Sequence, residues 1–209
     1  MYSPAAFAEP RLDVQHALMR AHPLGTLIVA AAGAVTADLV PFQLYAADGP
    51  RGTLRAHVAR ANPVWQALCD GAACLVVFQG PQAYVSPGWY ATKAQHHKVV
   101  PTWNYAVVQV RGTARVVEDA QWLRRQLSDL TAAQEGALPQ PWAVTDAPAP
   151  FVDGLLAALV GIELAIDSIE GKWKVSQNRV AADRAGVAAG LAERGALAMA
   201  DLVRERGPA

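Results

Sequence analysis

Side chains that could bind a flat polar ligand are concentrated between Gly80 and Arg115. The aromatic and hydrogen-bonding residues of this segment are Tyr84, Trp89, Tyr90, Trp103 and Tyr105, with Ser86, Lys93, Thr102 and Asn104. Two strand-like runs flank them, residues 74–78 and residues 105–112. Planar rings beside hydrogen-bonding groups on a connection between strands are typical of a binding site. An aromatic mini-core at the end of a β-barrel is the alternative, because many such clusters only pack.

A second candidate site lies at Arg60, where a predicted strand over residues 53–58 leads into a predicted helix. Asn62 can cap that helix, and Pro63 fits its first position. A cation beside the free backbone N–H groups of a helix start suits a phosphate. A plain strand-to-helix turn with a solvated arginine explains the same residues.

The motifs of familiar catalytic and metal sites are missing. The sequence has no Walker or GxGxxG loop, no HExxH pair and no GxSxG elbow. Its histidines and cysteines do not have zinc-site spacing, so no metal is predicted. Ser86 has no base near it in sequence, so no catalytic residue is named. A loose helix-turn-helix match over residues 180–191 is weak evidence for DNA binding, because alanine-rich helices often match that pattern.

Composition limits the class of protein. The chain has 209 residues, of which 53% are hydrophobic, which is enough for one domain with a full core. Lys+Arg and Asp+Glu are equal at 18 each, so the basic excess of a protein that coats nucleic acid is missing. Cys69 and Cys74 are expected to be small core residues or free thiols of a reducing compartment. No signal peptide or long apolar stretch is seen, so a soluble, cytoplasmic protein without a membrane partner is predicted.

Strands interleaved with short helices and long connections predict an α+β, mainly β barrel rather than a doubly wound sheet. The predicted strands cover residues 24–29, 35–44, 53–58, 74–78, 105–112 and 161–169, and residues 112–117 continue or restart a strand. The strand containing Pro41 is predicted to be an edge or bulged strand. The predicted helices run from Glu9-Pro10 to His22-Pro23, over residues 120–130 with Asp119 as the cap, and over residues 151–160. Asp48-Gly49 predicts a turn. The donor-rich residues 170–179 are predicted to lie outside the core. Residues 180–209 are predicted to form a helical appendage, broken near Gly190 and Gly195, within a single domain over residues 1–209.

Short motifs run in order along nearly the whole chain. They are Met1-Tyr2 with Pro4 and Phe7, His22-Pro-Leu-Gly-Thr26, Pro41-Phe42, His57-Val-Ala-Arg-Ala-Asn-Pro63 with Trp65, Phe78 with Gly80-Pro81, Tyr84-Val-Ser-Pro87 with Trp89-Tyr90 and Lys93, VVPTWNY at 99–105, Pro141-Trp142 with Asp146-Ala-Pro148, and GKWKVSQNR at 171–179. Together they resemble the PaiB family of FMN-binding negative transcriptional regulators. VVPTWNY and GKWKVSQNR are long and unusual, which makes the resemblance specific.

This resemblance implies an FMN-binding split β-barrel with peripheral helices and a helical C-terminus, related to the pyridoxamine-phosphate oxidase group. Such barrels form homodimers with FMN at the subunit interface. The residues that the resemblance assigns to FMN are His57, Arg60, Ala61 and Asn62 near the phosphate, Trp103 and Asn104 at the isoalloxazine ring or ribityl chain, and Lys172, Ser176, Gln177, Asn178 and Arg179 completing the pocket from the same or the second subunit.

The resemblance leaves several functions open. The family label implies a flavin-binding transcriptional regulator, with DNA or a regulatory protein as a candidate partner. A flavin-dependent oxidoreductase acting on an unidentified small molecule is the alternative, because related barrels carry out such chemistry. A barrel that has lost its cofactor is the third case. Leu39 suggests it, since the family often has a histidine at this place, two residues before its Pro-Phe pair.

Overall fold

The computed structural model describes residues 1–206, so the last three residues of the predicted C-terminal appendage lie outside the described residues. The chain divides into two compact units. Unit 1 consists of Met1–Leu18, Gln79–Val108 and Glu170–Ala209, described up to residue 206, and unit 2 consists of Met19–Phe78 and Gln109–Ile169. The single domain over residues 1–209 stays a prediction.

Within residues 1–206 the chain forms nine β-strands and seven α-helices, joined by turns and short 3-10 helices. The strands are β1 (Ala8–Glu9), β2 (Leu24–Ala31), β3 (Ala34–Pro41), β4 (Gln43–Tyr45), β5 (Thr53–Ala59), β6 (Ala73–Val85), β7 (Thr102–Val117), β8 (Leu159–Ala165) and β9 (Ser168–Lys174). The helices are α1 (Leu12–Ala21), α2 (Val64–Cys69), α3 (Lys93–His96), α4 (Ala120–Glu135), α5 (Ala149–Ala157), α6 (Ala181–Glu193) and α7 (Leu197–Glu205). None of these helices is long and apolar enough to cross a membrane.

The strand order of unit 2 is β3-β2-β6-β7-β8-β5-β4, and β6 and β7 continue into unit 1. The pairs β2–β3, β2–β6, β4–β5, β5–β8 and β7–β8 are antiparallel. The order ends at β3 and at β4, so these strands do not close into a ring. Along β5 the buried side chains of Leu54, Ala56 and Val58 alternate with Arg55 and His57, which therefore lie on the opposite face.

Helix α4 packs on β8 and α5 in unit 2. Its first turn is capped by Asp119, whose carboxylate accepts a hydrogen bond from the Trp122 backbone N–H at 2.6 Å, as predicted. Leu123 is buried in a cluster with α5. A side chain at Gly161 of β8 would clash with the Trp122 ring, so this glycine permits the close approach of helix and strand. The packing leaves Gln126, one turn further along α4, 1% exposed.

Unit 1 joins the N-terminus to β9 and the C-terminal helices. Strand β1 pairs antiparallel with β9, with Ala8 opposite Lys172, and β9 also pairs with β7. Trp89 lies against α6 at Gly186 and Gly190, which are one helical turn apart. A Cβ atom at either glycine would clash with Trp89, so the helix needs both to accept this aromatic residue.

Two predicted helix boundaries are wrong. Glu9 does not open a helix, because it ends β1 and α1 begins three residues later. Glu9 is 3% exposed and forms ion pairs with Arg11 and Arg206, and the second of these is a long-range contact that a local pattern cannot show. Helix α6 runs through Gly190 without a break, and the chain turns only at Gly195, where φ is +77°.

The alternating run predicted as one strand over residues 161–169 is divided between β8 and β9. The chain turns between them at residues 166–167, whose backbone N–H groups donate to the carbonyl oxygens of Gly52 and Arg111 at 3.2 and 3.0 Å. Hydrophobic alternation gives the face of each side chain, but it does not show where a strand changes its neighbour.

Several side chains expected on a connection or outside the core instead lie in strands. Tyr84 belongs to β6, and Trp103 belongs to β7, which begins before the predicted start at residue 105. The polar segment after residue 169 was expected outside the core, but Lys172 is 8% exposed and its neighbour Trp173 is 3% exposed. This part of the prediction is wrong because a long lysine stem can be buried while its ammonium group keeps a hydrogen-bond partner.

Candidate functional site

In unit 2, the side chain of His57 on β5 is held by a hydrogen bond to a residue of α4. Its Nδ1 lies 2.8 Å from Oε1 of the buried Gln126. An amide oxygen only accepts, so His57 Nδ1 is the donor of this hydrogen bond. The hydrogen bond therefore sets the orientation of the imidazole.

Arg60 lies directly after β5, and its guanidinium group already has partners. Its Nε donates to the Ala157 carbonyl at 3.1 Å, its Nη2 donates to the Leu159 carbonyl at 3.2 Å, and its Nη1 forms an ion pair with Glu118. These contacts join the end of β5 to the junction of α5 and β8. A phosphate at Arg60 would have to share or replace them, so the assignment of Arg60 to the FMN phosphate stays a prediction.

The start of α2 is organised by Asn62. Its Oδ1 accepts a hydrogen bond from the Val64 backbone N–H at 3.0 Å, and its Nδ2 donates to Asp38 Oδ1 at 2.9 Å. Pro63 occupies the cap position and makes no side-chain capping bond. The predicted capping role of Asn62 is thus filled by its side chain one residue earlier than the standard position. Ala61 is exposed between Arg60 and Asn62.

In unit 1 a buried polar pair joins β7 to the turn after β9. Asn104 is 1% exposed and Ser176 is 4% exposed. Asn104 Nδ2 donates to Ser176 Oγ at 2.9 Å, and Ser176 Oγ lies 3.3 Å from Asn104 Oδ1. Ser176 has φ of +63°, a left-handed conformation that costs a non-glycine residue free energy. A strained residue held by a buried amide is typical of a turn whose shape matters for binding.

Gln177 holds the same turn from its other side. Its Oε1 accepts from the Val175 backbone N–H at 2.8 Å, and its Nε2 donates to the carbonyl oxygens of Trp173 at 2.5 Å and Ala6 at 2.9 Å. Because both ends of the amide are used within unit 1, Gln177 shapes the turn, and Asn178 beside it is exposed. The polar sequence SQNR therefore divides into residues that build the turn and residues that can face a ligand.

Two lysines of β9 point cationic groups at aromatic residues and carbonyl oxygens. Lys172 Nζ donates to the Tyr2 carbonyl at 3.0 Å and lies 5.3 Å from the centre of the Tyr105 ring. Lys174 Nζ donates to the Trp103 carbonyl at 2.9 Å and also to the Thr102 hydroxyl. Lys174 is absent from the residues assigned by resemblance, although its place two residues after Lys172 on one strand puts both on the same face.

Arg179 completes a group of three cations, and we call Lys172, Lys174 and Arg179 the cation cluster. The Arg179 guanidinium carbon lies 4.7 Å from the centre of the Tyr90 ring. Burial lowers the pKa of Lys174, and the positive charges of Lys172 and Arg179 lower it further, against an opposing effect of Tyr105. Within residues 1–206, no carboxylate forms an ion pair with any member of the cluster. The cluster is therefore a region of uncompensated positive charge that an anion would stabilise.

The aromatic residues between Gly80 and Arg115 fall into a packed group and an exposed group. Trp89 packs on α6 and Tyr90 is 2% exposed. Trp103 is 50% exposed, its indole N–H donates to Gln82 Oε1, and its ring centre lies 6.0 Å from that of Tyr84 at an angle of 70°. Trp89 and Tyr90 therefore serve packing, whereas Trp103 and Tyr84 form an accessible aromatic surface.

Leu39 is 68% exposed on the edge strand β3. The edge position was predicted from Pro41, at which β3 ends. Leu39 follows Asp38, the acceptor for Asn62, and its side chain points to the opposite face of the strand. Within residues 1–206, no group of three or more His, Cys, Asp or Glu side chains is arranged to hold a metal ion.

Curated relatives of similar length exist in fungi and bacteria. A protein of Emericella nidulans, named "Uncharacterized protein AN0679", is 35% identical over 245 aligned residues, covering 99% of this chain and 98% of the relative. The Bacillus subtilis "Protease synthase and sporulation protein PAI 2" is 27% identical over 179 residues, covering 86% of this chain and 83% of the relative.

Solved structures share the fold at low sequence identity. The FAD and heme binding protein from Mycobacterium smegmatis superimposes with a TM-score of 0.57 at 19% identity, over 80% of this chain and 73% of that one. The flavocytochrome Anf3 from Azotobacter vinelandii gives a TM-score of 0.56 at 15% identity, over 80% of this chain and 69% of that one. These likenesses confirm the predicted fold class, an α+β, mainly antiparallel split barrel with peripheral helices.

A family model decides the membership of the chain. Residues 1–168 match the family described as "Putative FMN-binding domain". This match covers most of the chain, and with it FMN is the cofactor of the family fold. The chain therefore belongs to the PaiB family of FMN-binding split-barrel proteins, as the sequence motifs implied.

Proposed function

We propose that this protein is an FMN-binding transcriptional regulator of the PaiB type that acts as a homodimer in the cytoplasm. The cation cluster in unit 1 is the observation that carries the FMN-binding part of the proposal. The regulatory part rests on membership of the PaiB family. The free thiols, exposed Cys69 and buried Cys74, suit the reducing cytoplasm.

The residues of unit 1 fit the chemistry of FMN. FMN carries a phosphate dianion, and Lys172, Lys174 and Arg179 offer positive charge that no carboxylate within residues 1–206 neutralises. The exposed ring of Trp103 offers a face for a planar group, while the Asn104–Ser176 pair holds the neighbouring turn in shape. When bound, FMN supplies redox chemistry, and these residues bind and orient it.

The predicted FMN contacts in unit 2 differ in how far their polar groups already have partners. The Asn62 side chain organises the start of α2, and the bond between His57 and Gln126 uses only Nδ1 of the imidazole, so both places retain groups that a ligand can use. Arg60 is committed to Glu118 and two carbonyl oxygens. We therefore propose that the cation cluster contributes more to FMN affinity than Arg60 does.

A homodimer is supported by apolar side chains on an edge strand. Val35 is 70% exposed and Leu39 is 68% exposed, both on β3. Exposed apolar side chains on a strand edge mark a surface that suits a partner chain. Light scattering after size exclusion tests this part: a mass of twice 22.1 kDa is expected, and a monomer at micromolar concentration would contradict it.

Direct binding of DNA is not favoured, so we propose that regulation depends on the flavin or on a protein partner. The formal net charge is zero. Helix α6, which covers the loose helix-turn-helix match, is tied to Trp89 at Gly186 and Gly190, and its Val187 and Leu191 are buried. Because α6 packs against the protein on these faces, little of its surface is left to enter a groove of DNA.

Transcript profiling tests the regulatory proposal. Deleting the chromosomal copy should change a defined set of transcripts, and the wild-type protein should restore them. A variant that folds but does not bind FMN should fail to restore them. Unchanged transcripts, or equal restoration by the FMN-free variant, would contradict an FMN-dependent regulator.

The oxidoreductase alternative draws on Lys174. This half-buried lysine has a lowered pKa, since burial and two neighbouring cations disfavour its charged form, and such a group exchanges a proton more readily than an exposed lysine. Turnover of NADH or NADPH with an electron acceptor by the FMN-loaded protein would favour an enzyme. Bound FMN that neither donor reduces would count against it.

A further inference from the structure

A small pocket lies between α4 and the strands β4 and β5 in unit 2, and none of its lining residues belongs to the cation cluster. It has a volume of about 170 Å³, close to that of six water molecules in the liquid. Its lining residues are Tyr45, Arg55, Trp122, Arg125, Gln126 and Asp129. The lining carries two guanidinium groups, of Arg55 and Arg125, and one carboxylate, of Asp129.

Gln126 is the buried polar side chain of this pocket. It is 1% exposed, and its Oε1 accepts from His57 Nδ1 at 2.8 Å. Its Nε2 is buried and has no hydrogen-bond partner. A buried amide donor left without an acceptor costs about 1–3 kcal/mol, so a bound acceptor at this place would be stabilised. The same amide holds His57, which couples the pocket to the imidazole.

The charged lining groups differ in how far they are already paired. Arg55 Nε lies 2.7 Å from Glu163 and its Nη2 lies 2.9 Å from Asp48, so its charge is compensated. Asp129 accepts a hydrogen bond from the Tyr45 hydroxyl at 2.5 Å. Arg125, by contrast, forms no ion pair or hydrogen bond within residues 1–206.

Tyr45 keeps its proton in this arrangement. Burial and the hydrogen bond to Asp129 raise the pKa of Tyr45 to about 12, against the opposing effect of Arg55. The hydroxyl therefore stays a donor to Asp129 at neutral pH, and the acidic group of the pocket is partly satisfied. The groups that remain without partners are a cation and an amide donor, and both of them suit an oxyanion.

We propose that this pocket binds a small carboxylate, with Arg125 pairing with its charge and Gln126 Nε2 donating to one of its oxygens. The volume limits the ligand to a few heavy atoms. A carboxylate is a small oxyanion that can accept hydrogen bonds from a guanidinium and from an amide donor at the same time. Because the pocket is distinct from the residues proposed for FMN in unit 1, the inference stands or falls independently of FMN binding.

Acetate is the probe for the test. The side-chain NH2 signals of Gln126 are identified in ¹H–¹⁵N spectra by their loss in Gln126→Glu. Sodium acetate is then titrated against sodium chloride of equal ionic strength. We expect a saturable shift of the Gln126 signals with acetate and none with chloride, together with a shift of the His57 ring signals.

Arg125→Gln and Arg124→Gln form a matched pair of variants. Arg124 is the neighbouring residue of α4, pairs with Asp153 and does not line the pocket. Acetate affinity should fall about tenfold or more in Arg125→Gln and stay unchanged in Arg124→Gln. Calorimetric titration gives the same comparison without relying on one signal. An absent acetate-specific response, or equal affinity in wild type and Arg125→Gln, would overturn the proposal and leave a pocket filled by water.

Discussion

Replacing Lys174 by methionine separates the binding role of the cation cluster from its effect on folding. Methionine keeps the length and most of the apolar contact area of lysine but removes the charge. In the folded protein, burial is the main cause that lowers the pKa of Lys174, and the charges of Lys172 and Arg179 also lower it, against the opposing effect of Tyr105. The charged form is therefore disfavoured in the free protein and has most to gain from an anion.

The expected magnitude follows from the loss of one hydrogen bond between charged groups. Such a bond contributes about 1.5–3 kcal/mol, which corresponds to a roughly 10- to 150-fold weaker Kd for FMN. The stability of the FMN-free protein should change little. The lost hydrogen bonds to the Trp103 carbonyl and the Thr102 hydroxyl are offset by removal of a charge that the fold disfavours.

Quenching of FMN fluorescence by the FMN-free protein measures the affinity, and urea denaturation measures the stability. Lys98→Met is the matched control, because Lys98 is exposed and makes no side-chain contact with the cluster. An unchanged Kd in Lys174→Met, or an equal loss in Lys98→Met, would refute the assignment of FMN to this cluster. A large loss of stability with no separate effect on affinity would show that Lys174 only supports the fold.

Two further predictions concern the fold. Burial disfavours ionised Glu9, but hydrogen bonds from Arg11 and Arg206 outweigh it and lower its pKa from 4.5 to about 2. Ionised Glu9 thus contributes about 3 kcal/mol to the free energy of unfolding above pH 4.5, and this contribution is lost as the pH falls toward 2. Glu9→Gln should therefore flatten this part of the curve of stability against pH. Gly190→Ala, whose Cβ would clash with Trp89, should destabilise unit 1 by about 1–3 kcal/mol in urea denaturation. Gly154 lies on α5 with open space around it, so Gly154→Ala should instead stabilise the protein by about 0.5–1 kcal/mol. Equal changes of stability in Gly190→Ala and Gly154→Ala would contradict the packing of Trp89 on α6.

Much of the fold could be predicted because its signals are local. The cap at Asp119, the edge strand ending at Pro41 and the turn at Gly49 depend on residues within a few positions of each other. The errors arose where a distant residue decides the structure. Glu9 lies in a strand because of β9 and Arg206, and α6 passes through Gly190 because Trp89 fills the space there.

The candidate site was predicted less completely than the fold. The residues that the resemblance assigns to FMN include Lys172 and Arg179 but not Lys174, since a motif does not state which cations lack a carboxylate partner. The resemblance assigned Arg60 to the FMN phosphate, and the ion pair of Arg60 with Glu118 could not be seen in the sequence. Gln126 carried no signal at all, because a glutamine in an amphipathic helix is usually solvated.

The visible absorption spectrum of the purified protein, with its cofactor released by denaturation and identified, tests the central claim most directly. The account predicts a flavin spectrum and release of FMN, or uptake of added FMN by a protein purified without it. A colourless protein that takes up no FMN would contradict the claim. Leu39, exposed where relatives often carry a histidine, would then be the first position to exchange.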